Sequence, residues 1–522
     1  MRTFLQRFGA LLLACLAGFD RIRFRGTKLQ LCHTRGIQGF LHRRKILLRD
    51  FKTYAQATTE ALFQAIEPPA KQAGLYRYLN SNQMSTEETA LRTARERNQT
   101  EGLIAVLGRV EPCQTIEFRK DPPPSQWWSP YLKSGAKCLH YYHYYLDRDF
   151  GLRYTRLQTW FPFTMHLGIN GRDWLARQMS KAGIPFLQKE NCFTWVEDPK
   201  QAQRLLDTQL KTDWPLLLQR WAEQSNPLEK TMLQQPAPYY WSVQEAEYAT
   251  DIVFRSPNDL LRLYPRWTHY AYATLKSSSL LRYMNYRVWK DGTLCPAISR
   301  NIKTTVKSFA EGTCVRHRVQ GNVLKMYDKA PNVLRVETLL TDVSHFKGYR
   351  AGKNRPDGSP RYLPLRKGVA DMHRRAAISE KINERYVEGL ATVEEPRSLA
   401  EIAKNLGQRA TWKGRRLRPL NPLATADVLL LESVNRGEFM IHGFRNRDIR
   451  ILLFPGKPTA AAAEAKRQSA HVTRLLTLLR AHRIIAKVPK THRYQVTEKG
   501  RMTITALLAA RQADTTTLLK AG

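Results

Sequence analysis

Acidic residues are scarce in this chain. Its 522 residues include 45 Asp and Glu against 84 Lys and Arg, a formal net charge of +39. So large an excess destabilises a compact chain unless a polyanion offsets it. The surplus is spread along the sequence rather than held in a tail, which implies a long contact surface. Phosphate contacts of that kind give salt-sensitive affinity and carry no sequence information. Long hydrophobic runs are missing too. The best candidate, Phe8–Phe19, is too short to span a bilayer. With Arg2 and Arg7 beside it the run imitates a signal peptide, and Leu12-Leu-Ala-Cys15 imitates a lipoprotein cleavage box. No small-x-small site with a polar mature start follows, and the run passes directly into the alternating Asp20–Gly26. The expectation is an amphipathic helix feeding a strand, in a cytoplasmic protein with no membrane contact.

Cysteine pairs are absent as well. The seven cysteines are odd in number and widely spaced, with no CxxC, which argues against a zinc site or disulfide framework and fits a reduced compartment. A Walker-type phosphate loop, a GxGxxG after a strand and an HExxH are all lacking. Nucleotide hydrolysis and zinc peptidase chemistry lose their support accordingly.

What is present suits folded domains. Hydrophobic residues make up 43% of the chain and aromatics 10%, and the length exceeds what one core accommodates. The pattern predicts an α+β multidomain protein, a mixed helix and antiparallel-strand body with a C-terminal winged-helix domain. Region 1–235 is expected to be mostly helical up to about Arg97, with helices in Lys45–Ile66 and Ser85–Asn98, the latter opened by a Ser85/Glu88 capping box. A buried strand at Gly102–Glu111, a hairpin of Lys137–Leu146 with Leu152–Phe161, and helices near Asp173–Ala182 and Lys200–Gln224 complete that region. A second α+β region, 236–407, contains two strands, Val323–Tyr327 and Val333–Leu340. A basic linker, 408–422, carries Lys413, Arg415, Arg416 and Arg418, and a domain of 423–522 closes the chain. No internal repeat is visible.

The last hundred residues hold the most specific pattern. Helices are expected from Thr425 to about Asn435, over Arg445–Leu453, and from near Thr459 to His482. In the third, Val472, Leu475, Leu476 and Leu479 define a core face, opposite Arg467, His471 and Arg474. A basic hairpin follows, Ile484–Val488 with Tyr494–Thr497, bearing Lys487, Lys490, His492 and Arg493. This order resembles the MarR-like winged-helix regulators. The resemblance implies a helix in the major groove and a wing reaching phosphates or the minor groove.

Three constellations could carry chemistry. In the first, Asp328 and Glu337 on paired strands would hold Mg2+ or Mn2+ for phosphodiester cleavage, with Lys329 and Arg335 stabilising charge and Tyr327 standing in as nucleophile. This Lys325–Lys329 and Leu334–Thr338 arrangement resembles one in rolling-circle replication initiators, although Val336 occupies the place of their nucleophilic tyrosine. The alternative is ordinary cross-strand salt bridging. In the second, His140 and His143 stand three apart on a strand and so face opposite sides, which suits packing or base stacking rather than chelation. The third is Tyr239–Asp251, where a helix would put Glu247 and Asp251 on one face as an acidic pair, or as partners of nearby arginines. The chain also resembles a group of bacterial proteins through Gly18–Gly26, Val110–Cys113, Leu157–Phe163 and Gly443–Asp448, from which no activity follows.

The combined expectation is a DNA-binding component of a bacterial mobile or replicative element, with metal-dependent strand cleavage as an added capacity and no cofactor otherwise required. A homodimer is compatible with it. The rivals are a non-catalytic winged-helix transcriptional regulator and an RNA-binding partner of a structured RNA, the latter because Tyr141–Tyr145 could stack unpaired bases.

Overall fold

The computed structural model describes residues 1–80, 85–231, 238–286, 298, 301–309, 312–351, 359–393, 406–421, 424–436, 439, 443–455, 462–489 and 491–512. The chain is mixed α/β and divides into two compact units, 1–393 and 394–522.

The first unit is organised by one eleven-stranded sheet. In chain order its strands are β1 (Leu12–Thr27), β2 (Tyr76–Tyr78), β3 (Gly102–Lys120), β4 (Trp128–Asp147), β5 (Gly151–Gln158) and β6 (Met165–Asn170). A separate hairpin, β7 (Phe186–Lys189) with β8 (Cys192–Val196), comes next. The sheet then resumes with β9 (Tyr240–Phe254), β10 (Ile302–Phe309), β11 (Gly312–Val319), β12 (Asn322–Ala330) and β13 (Val333–Leu339). The strand order is β10-β11-β12-β13-β9-β1-β6-β5-β4-β3-β2, all antiparallel except the β2–β3 edge.

That order contains the same path twice. β1 leads into helices, then β3 to β6 fold back as a meander whose last strand pairs with β1. β9 likewise leads into helices, then β10 to β13 fold back until β13 pairs with β9. β1 and β9 pair antiparallel at the seam. The expected division at 235/236 is therefore corrected: β9 hydrogen-bonds along almost the whole of β1, so both regions share one sheet.

Helices cover the faces, each with a local reason. The start is a helix over Arg2–Phe8 that buries Phe4 and Phe8, but the apolar run Phe8–Phe19 expected to be helical is strand from Leu12 onward, as part of β1. Thr86–Glu96 begins at Ser85, whose hydroxyl accepts from Glu88 N at 3.4 Å. The single helix expected over Lys200–Gln224 is two, Pro199–Gln209 and Trp214–Ser225. The break occurs where Asp213 caps the second helix and Pro215 occupies its first turn. Within Tyr239–Asp251, everything from Tyr240 onward is strand rather than helix. Region 1–97 is also less helical than expected, since all of β1 lies within it.

The second unit has its own core of Leu430, Leu431, Phe444, Ile449, Val472, Leu476, Leu479, Ile484, Ile485 and Ile504, among others. Helices Thr425–Val434, Asn446–Leu453, Ala462–Ala481 and Glu498–Gln512 surround it, with a hairpin Ile485–Lys487/Tyr494–Val496. These bounds lie within a few residues of the expected ones. The supposed linker is structured: Ala410–Trp412 pairs with Arg415–Leu417, and Trp412 lies under the Arg480 guanidinium at 4.5 Å. Gly443 turns the chain into the second helix at φ +64°, and a Cβ there would sit 2.4 Å from Tyr494 O. Only glycine meets both conditions.

Candidate active site and nucleic-acid interface

Strand alternation gathers charge on one face of the first unit's sheet. On β13, Arg335 and Glu337 are two apart and share a face. The β12–β13 register sets Tyr327 opposite Arg335 and Lys325 opposite Glu337, while β9 sets Asp251 opposite Arg335. Asp20 lies in the irregular stretch of β1 between Phe19 and Ile22, where the register against β9 shifts. Such bulges re-aim side chains. Acids rare in the sequence thus meet at the β1–β9 seam.

Arg335, fully buried, ties them together. Its Nε and Nη2 donate to Asp251 at 2.5 and 2.9 Å, and its Nη1 donates to Asp20 Oδ2 at 2.8 Å. Its Nη2 also reaches Asn191 O at 2.6 Å, and Asn191 Nδ2 donates to Asp20 Oδ2 at 2.6 Å, so the β7–β8 turn closes over the network. Arg172 adds a second buried guanidinium to Asp251 at 3.2 Å. Beside them, Lys325 Nζ bridges Glu337 at 2.6 Å and Glu247 at 3.2 Å. Tyr327 donates to the other Glu337 oxygen at 2.8 Å, and Arg21 Nε donates to Glu247 at 2.8 Å.

A cavity of about 530 Å³ opens above this floor, lined by Asp20, Arg21, Tyr327, Lys307, Arg316 and Lys329 among others. Burial raises the Glu337 carboxyl, Lys325 pulls it back, and Glu247 and Asp20 add to the rise, leaving it above the usual range. Asp251 goes the other way: burial opposes its charge, but Arg335 and Arg172 overcome that and hold it low. Burial, then Glu337, pushes the Tyr327 phenol well above its ordinary value, so it donates a proton in hydrogen bonds and is no ready nucleophile. Of the buried acids in the network, Asp20 reaches the cavity, where a carboxylate can hold a metal and the wall cations an anion.

The expected catalytic group is only partly assembled. Tyr327 and Glu337 meet. Asp328 does not join Glu337; its Oδ1 accepts from Thr313 N at 2.7 Å, and burial raises its carboxyl. Lys329 pairs with Glu190 at 2.6 Å. The carboxylates that do surround Glu337 are Asp20 and Glu247, with one ligand oxygen from each of the three within 4.8 Å of the others. The sequence drew attention to Glu247 through its neighbours Glu245 and Asp251. Asp20 carried no signal beyond being an acid in a strand of arginines.

His140 and His143 are buried, and burial pushes both down to about 4. The neighbouring tyrosines spend their hydroxyls internally. Tyr141 donates to Glu67, Tyr142 to Glu111 and Tyr145 to Gln224 O, and Tyr144 pairs with Thr86. All four rings are buried or half-buried, so this strand is no open stacking platform.

In the second unit, Val472, Leu476 and Leu479 of Ala462–Ala481 are buried, while Arg467, His471 and Arg474 are exposed at steps of four and three, one helical face. Asn446 Nδ2 fixes the preceding helix against it, donating to Ser469 O at 3.0 Å and Thr473 Oγ1 at 2.9 Å. Lys487 and His492 are exposed on the hairpin, and Lys490 lies outside the described residues. Arg493 is half-buried and donates to Gly443 O at 3.3 Å. Arg415 and Arg416 are exposed, and Arg415 lines a groove of about 710 Å³ together with His471 and Arg474. Arg418 grips Asp427 with two bonds, at 2.8 and 2.6 Å, a structural clamp that commits its guanidinium. Comparison with known protein families, with curated proteins and with solved structures finds no match to this chain.

Proposed function

We propose that this chain is a nucleic-acid-binding protein with duplex DNA as its preferred ligand, serving a bacterial mobile or replicative element, and that its second unit is a winged helix. One observation carries the reading. Exposed Arg467, His471 and Arg474 line one face of a helix whose other face is core, and the adjoining hairpin exposes Lys487 and His492. A helix of this diameter enters the major groove with its cationic side against bases and phosphates, and the hairpin reaches the flanking backbone. The net charge of +39 supplies the long-range attraction.

The test is fluorescence anisotropy of the full chain with labelled duplex DNA, single-stranded DNA and structured RNA across a salt series. Duplex is expected to bind tightest. Arg474→Ala and Lys487→Ala are each expected to weaken binding and to reduce the slope of log K against log salt by about one per lost phosphate contact. Equal or tighter binding of RNA, or unchanged slopes in both variants, would overturn this assignment.

Strand cleavage by the first unit is the second reading, and the Asp20–Glu247–Glu337 cluster, which reaches a cavity through Asp20, favours it. Supercoiled DNA with Mg2+ or Mn2+ is then nicked by the wild type and spared by Glu337→Gln, whereas Asp328→Ala retains activity.

A further inference from the structure

We propose that Asp20, Glu247 and Glu337 form a site for one divalent, oxygen-preferring cation of the Mg2+ or Mn2+ kind, whose place Lys325 holds until the metal displaces it. The inference concerns the same cavity as the cleavage reading but depends on neither cleavage nor DNA binding.

The donor set is hard. Three carboxylates each offer an oxygen within 4.8 Å of the other two. Metal–oxygen bonds of about 2.1 Å set donors roughly 3 Å apart when adjacent and about 4.2 Å apart when opposite, so small movements close the site. The three residues sit on different strands of one continuous sheet, β1, β9 and β13, which fixes their spacing.

An independent observation points to a missing partner. Asp20 is 1% exposed and lines the cavity. Its Oδ2 is bound by Arg335 and Asn191, but its Oδ1 has no hydrogen-bond partner among the described residues. A buried carboxylate oxygen left bare is costly, and native structures rarely keep one without an ion or water to satisfy it. Asp251, by contrast, is fully engaged by Arg335 and Arg172, which makes it the anchor of Arg335 and no candidate ligand.

Lys325 explains how the site exists without its ion. The ammonium contacts two of the three carboxylates, and its side chain remains 17% exposed toward the cavity that it also lines. It can swing into that space when a divalent ion takes over. There it would face an incoming phosphate. Arg21 neutralises Glu247 from outside and is 69% exposed, so it weakens the metal without being needed for the fold.

The experiment is Mn2+ titration of the full chain without nucleic acid, read by the electron paramagnetic resonance of free Mn2+ and by thermal unfolding. The wild type is expected to bind one ion. Arg21→Gln and Lys325→Met are expected to bind it at least tenfold tighter, with a larger Mn2+-induced rise in Tm. Glu337→Gln is expected to lose the ion, and Asp328→Ala to keep it. If Lys325→Met does not fold, the wild type and Arg21→Gln decide. No bound ion in either of these folded proteins overturns the proposal, as does loss of the ion in Asp328→Ala. Failure to bind DNA would leave the result untouched, and the reverse holds too.

Discussion

Replacing Arg335 with methionine tests whether the charged seam is held as described. The guanidinium makes two bonds to Asp251, one to Asp20 and one to Asn191 O, all with both partners buried or nearly so. Methionine fills similar volume but leaves two carboxylates facing an apolar chain. Breaking a buried pair in this way costs about 3–5 kcal/mol. Arg172 still serves Asp251, so the lower end, about 3 kcal/mol, is expected. That is roughly a 150-fold rise in the unfolded-to-folded ratio of the first unit, at about 1.4 kcal/mol per decade. Urea unfolding followed by tryptophan fluorescence reads it. A double variant, Arg335→Met with Asp20→Asn, removes the carboxylate left without a cation while Asp251 keeps Arg172, and is expected to recover a large part of the loss. A cost under about 1 kcal/mol, or no recovery in the double variant, would refute the network's role.

Two further outcomes follow from single residues. Burial first, and the charge of Asp20 second, raise the Asp173 carboxyl to about 6, above the unfolded value of about 3.9. The folded state therefore holds a proton through that interval that the unfolded chain has released. Asp173 contributes its full stability below about 4 and loses it as the pH rises through about 6. Asp173→Asn should gain Tm on the wild type between pH 4 and 7, and parallel curves would contradict this. Gly443→Ala forces a Cβ to within 2.4 Å of Tyr494 O at a positive φ, and a loss of about 2–4 kcal/mol is expected in the second unit. An unchanged unfolding transition for that unit would show that the Gly443 turn is not constrained.

Local pattern was legible and distant pairing was not. The hairpin Ile485–Lys487/Tyr494–Val496 and the helices around it follow from periodicity and turn residues within a few positions of one another. Glu247 and Asp251 are four apart, a spacing that keeps them on one face in a helix and in a strand alike. The shared face could therefore be anticipated while the element could not. Asp328 drew attention by its nearness to Glu337 in sequence. One residue of alternation, and the irregularity between Asp328 and Ala330, sent it to a backbone amide instead. Asp20 and Glu337 belong to opposite ends of the first unit, and only the β1–β9 and β9–β13 registers bring them together. No short-range rule contains that information.

The repeated path explains why the acids lie where they do. Two like meanders joined by antiparallel β1 and β9 leave a seam with strands of both halves on either side. Junctions between such halves are where pockets preferentially form. A seam needed only for cohesion would be served as well or better by apolar side chains, since buried ion pairs seldom outperform them. Here the seam instead carries Asp20, Glu247 and Asp251, answered by Arg335 and Lys325, and one face of it opens into a cavity walled by Lys307, Arg316 and Lys329. On the proposed metal site, Asp20 in the cavity lining with cations beside it would serve a metal-bridged phosphate. Stability alone gives no reason for it.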